Sequence, residues 1–273
     1  ASRLQLEGFE VVFIIPFDNK YSKKIQDKFE CHNLYLNAKG LNPFQDIMSL
    51  FKLYRVFKQI KPDVVCTFTI KPNIYGSIAA KLLGINCISN ITGLGTLFIK
   101  NGISSFIAKL LYKIALSCSN IVFFQNSKDK LFFLDSKLVK KSKIRSLPGS
   151  GVDLAKFKPV VSAKKDNFVF LLVSRLLKDK GINEFINAIR IIKKNNPELL
   201  IEFQILGELG VENRTAIQAS EVDAWIEDEL IKYLGVSDNV EHFIAQSDCV
   251  ILPSYREGMP RVILEAFAMK KPV

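Results

Sequence analysis

The sequence predicts an α/β protein made of two doubly wound parallel sheets, and three observations carry the prediction. Short β-rich apolar runs alternate with longer segments of helical periodicity along the chain, the pattern of parallel strands joined by crossover helices. The alternation pauses once, in the turn-rich residues 148–159, and then restarts. Charge changes at the same place: residues 1–155 hold 22 basic and 10 acidic side chains, whereas residues 156–273 hold 16 and 17. A chain of 273 residues is long enough for two domains of ordinary size, here drawn as 1–152 and 153–273.

Residues 1–8 read as a helix end stopping at Gly8, ahead of a strand over 9–15. Helices follow near 22–30 and over 43–60, then a strand at 63–68, a helix at 72–83 and a strand at 86–89. Residues 104–118 form a helix with Ile107, Leu110, Leu111 and Ile114 on one face. A strand at 121–124, a helix after Ser127 and a short strand at 143–146 complete the first half. The second half begins with a strand at 168–173 and a helix at 182–195, followed by a strand at 200–206 and a polar segment at 211–225. A helix to Leu234, a strand at 248–252 and a helix opened by Pro260 complete it.

Composition removes several classes of function. An apolar fraction of 48% describes a globular chain, and the net charge of +11 sits in its first half. No zinc-finger spacing or aromatic-rich RNA motif accompanies that charge, so nucleic acid is not an expected partner. An anionic membrane surface is expected instead, at ~1 kcal/mol per nearby cation. The helices 43–60, with Lys52, Arg55 and Lys58, and 104–118 are the candidates for that contact. A second reading, preferred here, is that their apolar faces only cover the sheet. Residues 82–99 carry no charge but are too polar and turn-rich to cross a bilayer. The five cysteines are odd in number and scattered, which reads as reduced thiols in the cytoplasm. His32 and His242 lack metal-ligand spacing, and no metal or other cofactor is expected.

The chemistry concentrates in loops that follow strands. Leu252-Pro-Ser-Tyr-Arg-Glu-Gly-Met-Pro-Arg-Val-Ile-Leu-Glu265 places Glu257 in a loop and Glu265 on the following helix, with seven residues between them. The backbone N–H groups around Gly258, Met259 and Arg261 are expected to be unpaired at the start of the helix that Pro260 opens, and this stretch, Pro260 included, suits an anion or hydroxyls of the donor. Arg175 lies just past a strand end and Lys180 just before a helix, where two cations can clamp a diphosphate. Gly207 lets backbone approach a ligand. In the first half, Lys71, Asn73 and Tyr75 are expected to project from a strand end near an interdomain cleft. Thr92, Gly93 and Gly95 lie in a loop after the next strand.

These strings resemble the retaining, nucleotide-sugar-dependent glycosyltransferases of family 4. The E-x7-E string is the most specific of them, and the likeness covers essentially the whole chain. Leu41-Asn-Pro-Phe44 and residues 67–76 and 90–95 are similar to the bacterial members that extend undecaprenyl-diphosphate-linked glycans. The resemblance implies the two-Rossmann GT-B fold, with a first strand expected before residue 1 and further elements expected after Val273. It assigns the diphosphate of a UDP-sugar to Arg175 and Lys180, the ribose to Glu265 and the transferred sugar to Glu257. The acceptor it implies is a lipid-linked saccharide at the inner face of the cell membrane. Many members carry a His where this chain has Thr92-Gly93, which leaves Thr92 as the contact there. A nucleotide-sugar epimerase of the same fold, or an inactive chain that binds glycan or membrane, are the alternative readings.

Overall fold

Every strand pairing among the described residues is parallel. The computed structural model describes residues 1–18, 22–36, 43–93, 103–160, 166–211, 213 and 215–273. It divides into two compact units, Ala1–Leu147 and Pro148–Val273.

The first unit runs α1 (Ser2–Leu6), β1 (Val12–Ile15), α2 (Ser22–Gln26), β2 (Glu30–Asn33), α3 (Pro43–Ile60), β3 (Val64–Phe68), a π-helical turn (Pro72–Gly76), α4 (Ser77–Leu82), β4 (Asn86–Ile91), α5 (Ile103–Cys118), β5 (Ile121–Phe124), α6 (Ser127–Asp135) and β6 (Ile144–Ser146). β1 pairs with β2, and β3, β4, β5 and β6 form a second sheet in that order. Progress in one direction with right-handed crossovers places α4 and α5 on one face of that sheet. Leu53, Phe57, Ala79, Ala80, Tyr112 and Leu116 enclose the core there. α6 starts where the Asn126 side chain accepts from the Asp129 N–H at 2.7 Å, a side-chain N-cap.

The second unit contains β7 (Phe168–Val173), α7 (Ile182–Asn195), β8 (Ile201–Leu206), α8 (Ala219–Glu227), β9 (Lys232–Tyr233), α9 (Val240–Gln246), β10 (Cys249–Ile251) and α10 (Arg261–Ala268). Its strand order is β10-β7-β8-β9. Side chains alternate across the sheet. Leu172, Phe203 and Ile205 meet α7 and α8 on one face, while Leu171, Leu206 and Val250 meet α9 and α10 on the other. The chain steps outward from β7 to β9 and then returns to the far side of β7 as β10. That reversal is a topological switch point, and ligands of open α/β sheets bind beyond the strand carboxyl ends there.

Three segments differ from the sequence reading. Residues 225–234 were expected to be helical, but α8 ends at Glu227 with Asp228 as its C-cap, and Glu229 has a left-handed φ of 53°. Leu230 N–H then closes back to Trp225 C=O at 2.9 Å, and the chain enters β9 beside β8. The strand β2 and the helix α9 are elements that the apolar pattern did not reveal.

Candidate functional site

Three loops close on one another at the carboxyl ends of β7, β8 and β10. Tyr255 N–H donates to Asp179 C=O at 3.1 Å, which ties the loop after β10 to the loop after β7. Gly181 caps α7 at φ 73°, and a Cβ there would lie 2.2 Å from the Pro253 carbonyl oxygen. Gly207 is pressed against the β7 loop, since a Cβ would lie 1.7 Å from the Ser174 carbonyl oxygen. Glycine is thus required at both positions by backbone approaching backbone.

Charged groups stand on this frame. Lys180 Nζ and Glu257 Oε1 form an ion pair, with side-chain exposures of 22% and 24%. Arg175 is exposed and makes no side-chain hydrogen bond or ion pair among the described residues. Glu265 is buried on the first turns of α10, where Arg261 Nη2 lies 3.2 Å from its Oε1. Burial pushes the Glu265 carboxyl above the usual carboxylate range, against the opposing pull of Arg261 and Lys156. Lys156 itself pairs with Glu241 at 3.1 Å and donates to Asp238 C=O at 3.0 Å.

At the helix start, Pro260 is the N-cap of α10 rather than its first residue. The Gly258, Met259 and Arg261 N–H groups make no backbone hydrogen bond among the described residues. The Met259 side chain packs on Gly149, where a Cβ would lie 2.6 Å from Met259 Cγ. A buried carboxylate, a Lys–Glu pair, an unpaired guanidinium and open amides therefore share one end of one sheet. Such a set can hold hydroxyls and a polyanion together.

The first-unit candidates behave differently. Lys71, Asn73 and Tyr75 were expected to project, but all three turn inward, Lys71 just before the π-helical turn and Asn73 and Tyr75 within it. Lys71 Nζ sits 2.8 Å from Asp46 Oδ1, with side-chain exposures of only 11% and 10%. Asn73 accepts from Thr67 Oγ1 at 2.7 Å and donates to Asn90 C=O at 2.9 Å. Tyr75 is buried, and burial together with Asp46 raises its hydroxyl above its ordinary value. The turn follows Thr69, a β-branched residue held at a left-handed φ of 67°, where backbone strain is stored. Thr92 and Gly93 lie half-buried just past β4. Gly95 lies outside the described residues, as do Leu41 and Asn42.

Residues 155–273 match the family "Glycosyl transferases group 1", and residues 1–126 match "Glycosyl transferase 4-like". The capsular polysaccharide biosynthesis glycosyltransferase CapM of Staphylococcus aureus is 30% identical over 279 residues, 96% of this chain and 70% of that one. The chain belongs to the group 1 and 4-like glycosyltransferases. The N,N'-diacetylbacillosaminyl-diphospho-undecaprenol alpha-1,3-N-acetylgalactosaminyltransferase of Campylobacter jejuni is 28% identical, over 97% of the glycosyltransferase and 72% of that enzyme. The UDP-Gal:alpha-D-GlcNAc-diphosphoundecaprenol alpha-1,3-galactosyltransferase of Escherichia coli is also 28% identical, over 95% and 69%. A glycosyltransferase structure from Rickettsia africae superposes with a TM-score of 0.76 at 20% identity, covering 99% of this chain and 72% of that one. HepE of Anabaena, solved with UDP-glucose, gives 0.71 at 17%, covering 96% and 71%. The glycosyltransferase thus has the GT-B class of fold, mixed α/β with parallel sheets.

Sequence reasoning missed Lys156 and Glu241 beside Glu265, because residues 148–159 read only as a spacer. The available signal was Phe157, an aromatic residue in a turn-rich stretch, which is buried under α9 and α10. It also missed the hydrogen bond from Tyr255 Oη to Glu184, which ties the β10 loop to α7.

Proposed function

We propose that the chain transfers a hexose or N-acetylhexosamine from a UDP-sugar to an undecaprenyl-diphosphate-linked saccharide, with retention at the anomeric carbon. The observation that carries this reading is the Lys180–Glu257 pair beside the free Arg175 at the switch point of the second sheet. Arg175 and Lys180 hold the diphosphate, Glu265 takes the ribose hydroxyls and Glu257 takes hydroxyls of the sugar. Donor binding gives Lys180 a second anionic partner, which releases Glu257 in part for the sugar. The open amides of Gly258 and Met259 meet donor oxygens, and Gly207 lets the backbone come close. In the first unit the reading keeps Thr92 and Gly93 on the acceptor side, with Lys71, Asn73 and Tyr75 as the scaffold beneath them.

The acceptor hydroxyl attacks from the face that the diphosphate leaves. The bond from the anomeric carbon to the phosphate oxygen breaks as the new glycosidic bond forms, and that phosphate takes the acceptor's proton. The charge of the departing UDP is met by Arg175 and Lys180, so this reading requires no metal. The names of the Campylobacter and E. coli relatives support the lipid-linked acceptor. No described helix is long and apolar enough to cross a membrane, and the proposed location is peripheral, at the inner membrane face. Product NMR tests the chemistry: an inverted anomeric centre overturns retention, and donor turnover with no acceptor present points to an epimerase.

Two further results are expected. Glu265→Ala weakens UDP binding about 10- to 100-fold by calorimetry, the range for hydrogen bonds to a charged group. An unchanged Kd removes the ribose role. Acidification has a defined sign as well. Because the folded-state pKa of Glu265 is raised, its neutral form favours the unliganded fold, and that contribution is lost as pH rises through the raised value. Hydroxyls donating to the ionised carboxylate reverse the preference. UDP affinity therefore falls on acidification from above the ordinary carboxylate range, and Glu265→Gln flattens that part of the profile.

A further inference from the structure

We infer that the outer face of α3, extended by α5, is a docking surface for an anionic lipid bilayer. α3 turns Asp46, Ser49, Leu53 and Phe57 to the interior, so the opposite stripe is the one left to solvent. That stripe is apolar over its first turns, with Ile47, Met48 and Phe51 exposed by 55%, 55% and 59%. Arg55 and Lys58 continue it along the same face, three or four residues apart. α5 repeats the arrangement, exposing Phe106, Leu110 and Ile114 by 69%, 51% and 48% while its other side joins the same core. Both helices pack against α4, which places them in one helical layer. Each stripe leaves three neighbouring apolar side chains in water on a helix that flanks α4, more than the scattered exposure of an ordinary surface.

Charge selects the occupant. α3, α4 and α5 contain one acidic residue, Asp46, and it is buried against Lys71. Their exposed ionisable groups are therefore all cationic: Lys52, Arg55, Lys58, Lys81 and Lys113. Between the end of β2 and α3 lies a shallow cavity of about 330 Å³ lined by Asn33, Leu34, Tyr35, Lys52, Arg55 and Val56. Lys52 and Arg55 have no partner among the described residues, and a lipid phosphate supplies one. Apolar side chains entering the acyl boundary beside cations at headgroup level are the two signals that stable peripheral binding requires. This surface deepens the membrane location proposed above, but its physics involves neither donor nor acceptor.

Vesicle co-sedimentation of the 273-residue chain without sugars tests it, using phosphatidylcholine alone and phosphatidylcholine with about a third phosphatidylglycerol. Binding is expected only to the anionic vesicles. Lys52→Ala with Arg55→Ala lowers the partition coefficient about thirtyfold, from about fivefold per lost cation. Ile47→Ser with Phe51→Ser abolishes the binding that survives high salt. Unchanged circular dichroism shows that these exposed variants fold, and unchanged transfer to a short-chain soluble acceptor separates docking from catalysis. Equal binding to both vesicles overturns the inference, as does full binding by the Lys52/Arg55 variant. A dimer in solution that Phe51→Ser dissolves also overturns it, because a second copy then covers the stripe.

Discussion

Arg175→Ala is expected to lower kcat by about a hundred- to a thousandfold while leaving the melting temperature unchanged. The guanidinium is exposed and makes no hydrogen bond or ion pair among the described residues, so its removal breaks no polar interaction that the structure records. In the proposed reaction it meets charge that develops on the leaving diphosphate, and removing one preorganised group of that kind costs ~3–4 kcal/mol of transition-state stabilisation. The loss falls mainly on kcat when the contact strengthens as the bond breaks, and on KM when the ground state is held equally well. Arg175→Lys keeps the charge but not the fork, and only partial recovery is expected. Lys180→Ala is the informative contrast. It also removes the partner of Glu257, whose side chain is three-quarters buried, so activity and melting temperature fall together. Steady-state kinetics beside thermal melts separate the two cases. Full activity in Arg175→Ala would move the diphosphate role to another cation of the same loop.

The donor side was legible because its signals are local. The strand 168–173 is a continuous apolar run, Gly181 and Pro260 mark helix starts, and the carboxylates sit in one unbroken string. Their pairing was not legible, since Lys180 and Glu257 lie 77 residues apart and meet only because β7 and β10 are neighbours. β2 escaped because Glu30-Cys-His-Asn33 has neither apolar alternation nor a fully buried side. The inward turn of Lys71 escaped because its partner Asp46 lies 25 residues away, and that of Asn73 and Tyr75 for a geometric reason. A π-helical turn adds a residue to the repeat and rotates the side chains that follow it, which composition does not reveal. The inner face of α3 was not legible either. Apolar residues occur all around it, so periodicity does not say which stripe faces the core. Asp46, Ser49, Leu53 and Phe57 took the inside instead, and the Lys71 partnership stabilises the carboxylate among them.

Gly207→Ala is expected to destabilise the second unit by on the order of 3 kcal/mol or more, and to lower its melting temperature by roughly 10 °C. The methyl would lie 1.7 Å from the Ser174 carbonyl oxygen and 2.6 Å from the carbon that bears it. Neither neighbour is a side chain that can swing away. Ser174 N–H donates to Leu206 C=O at 3.1 Å, and Gly207 N–H donates to Gly235 C=O at 2.8 Å, so relief requires parting β7 from β8 at their carboxyl ends. Gly210→Ala is the control. It has a left-handed φ of 74° but open space around it, so its cost is about 1–2 kcal/mol. A Gly207→Ala loss no larger than the Gly210→Ala loss would show that the loops can separate freely. The clash and the chemistry are linked, because Ser174 precedes Arg175. A variant that keeps enough fold to be assayed at low temperature should still show weakened UDP binding, since the displaced loop carries the guanidinium away from the diphosphate.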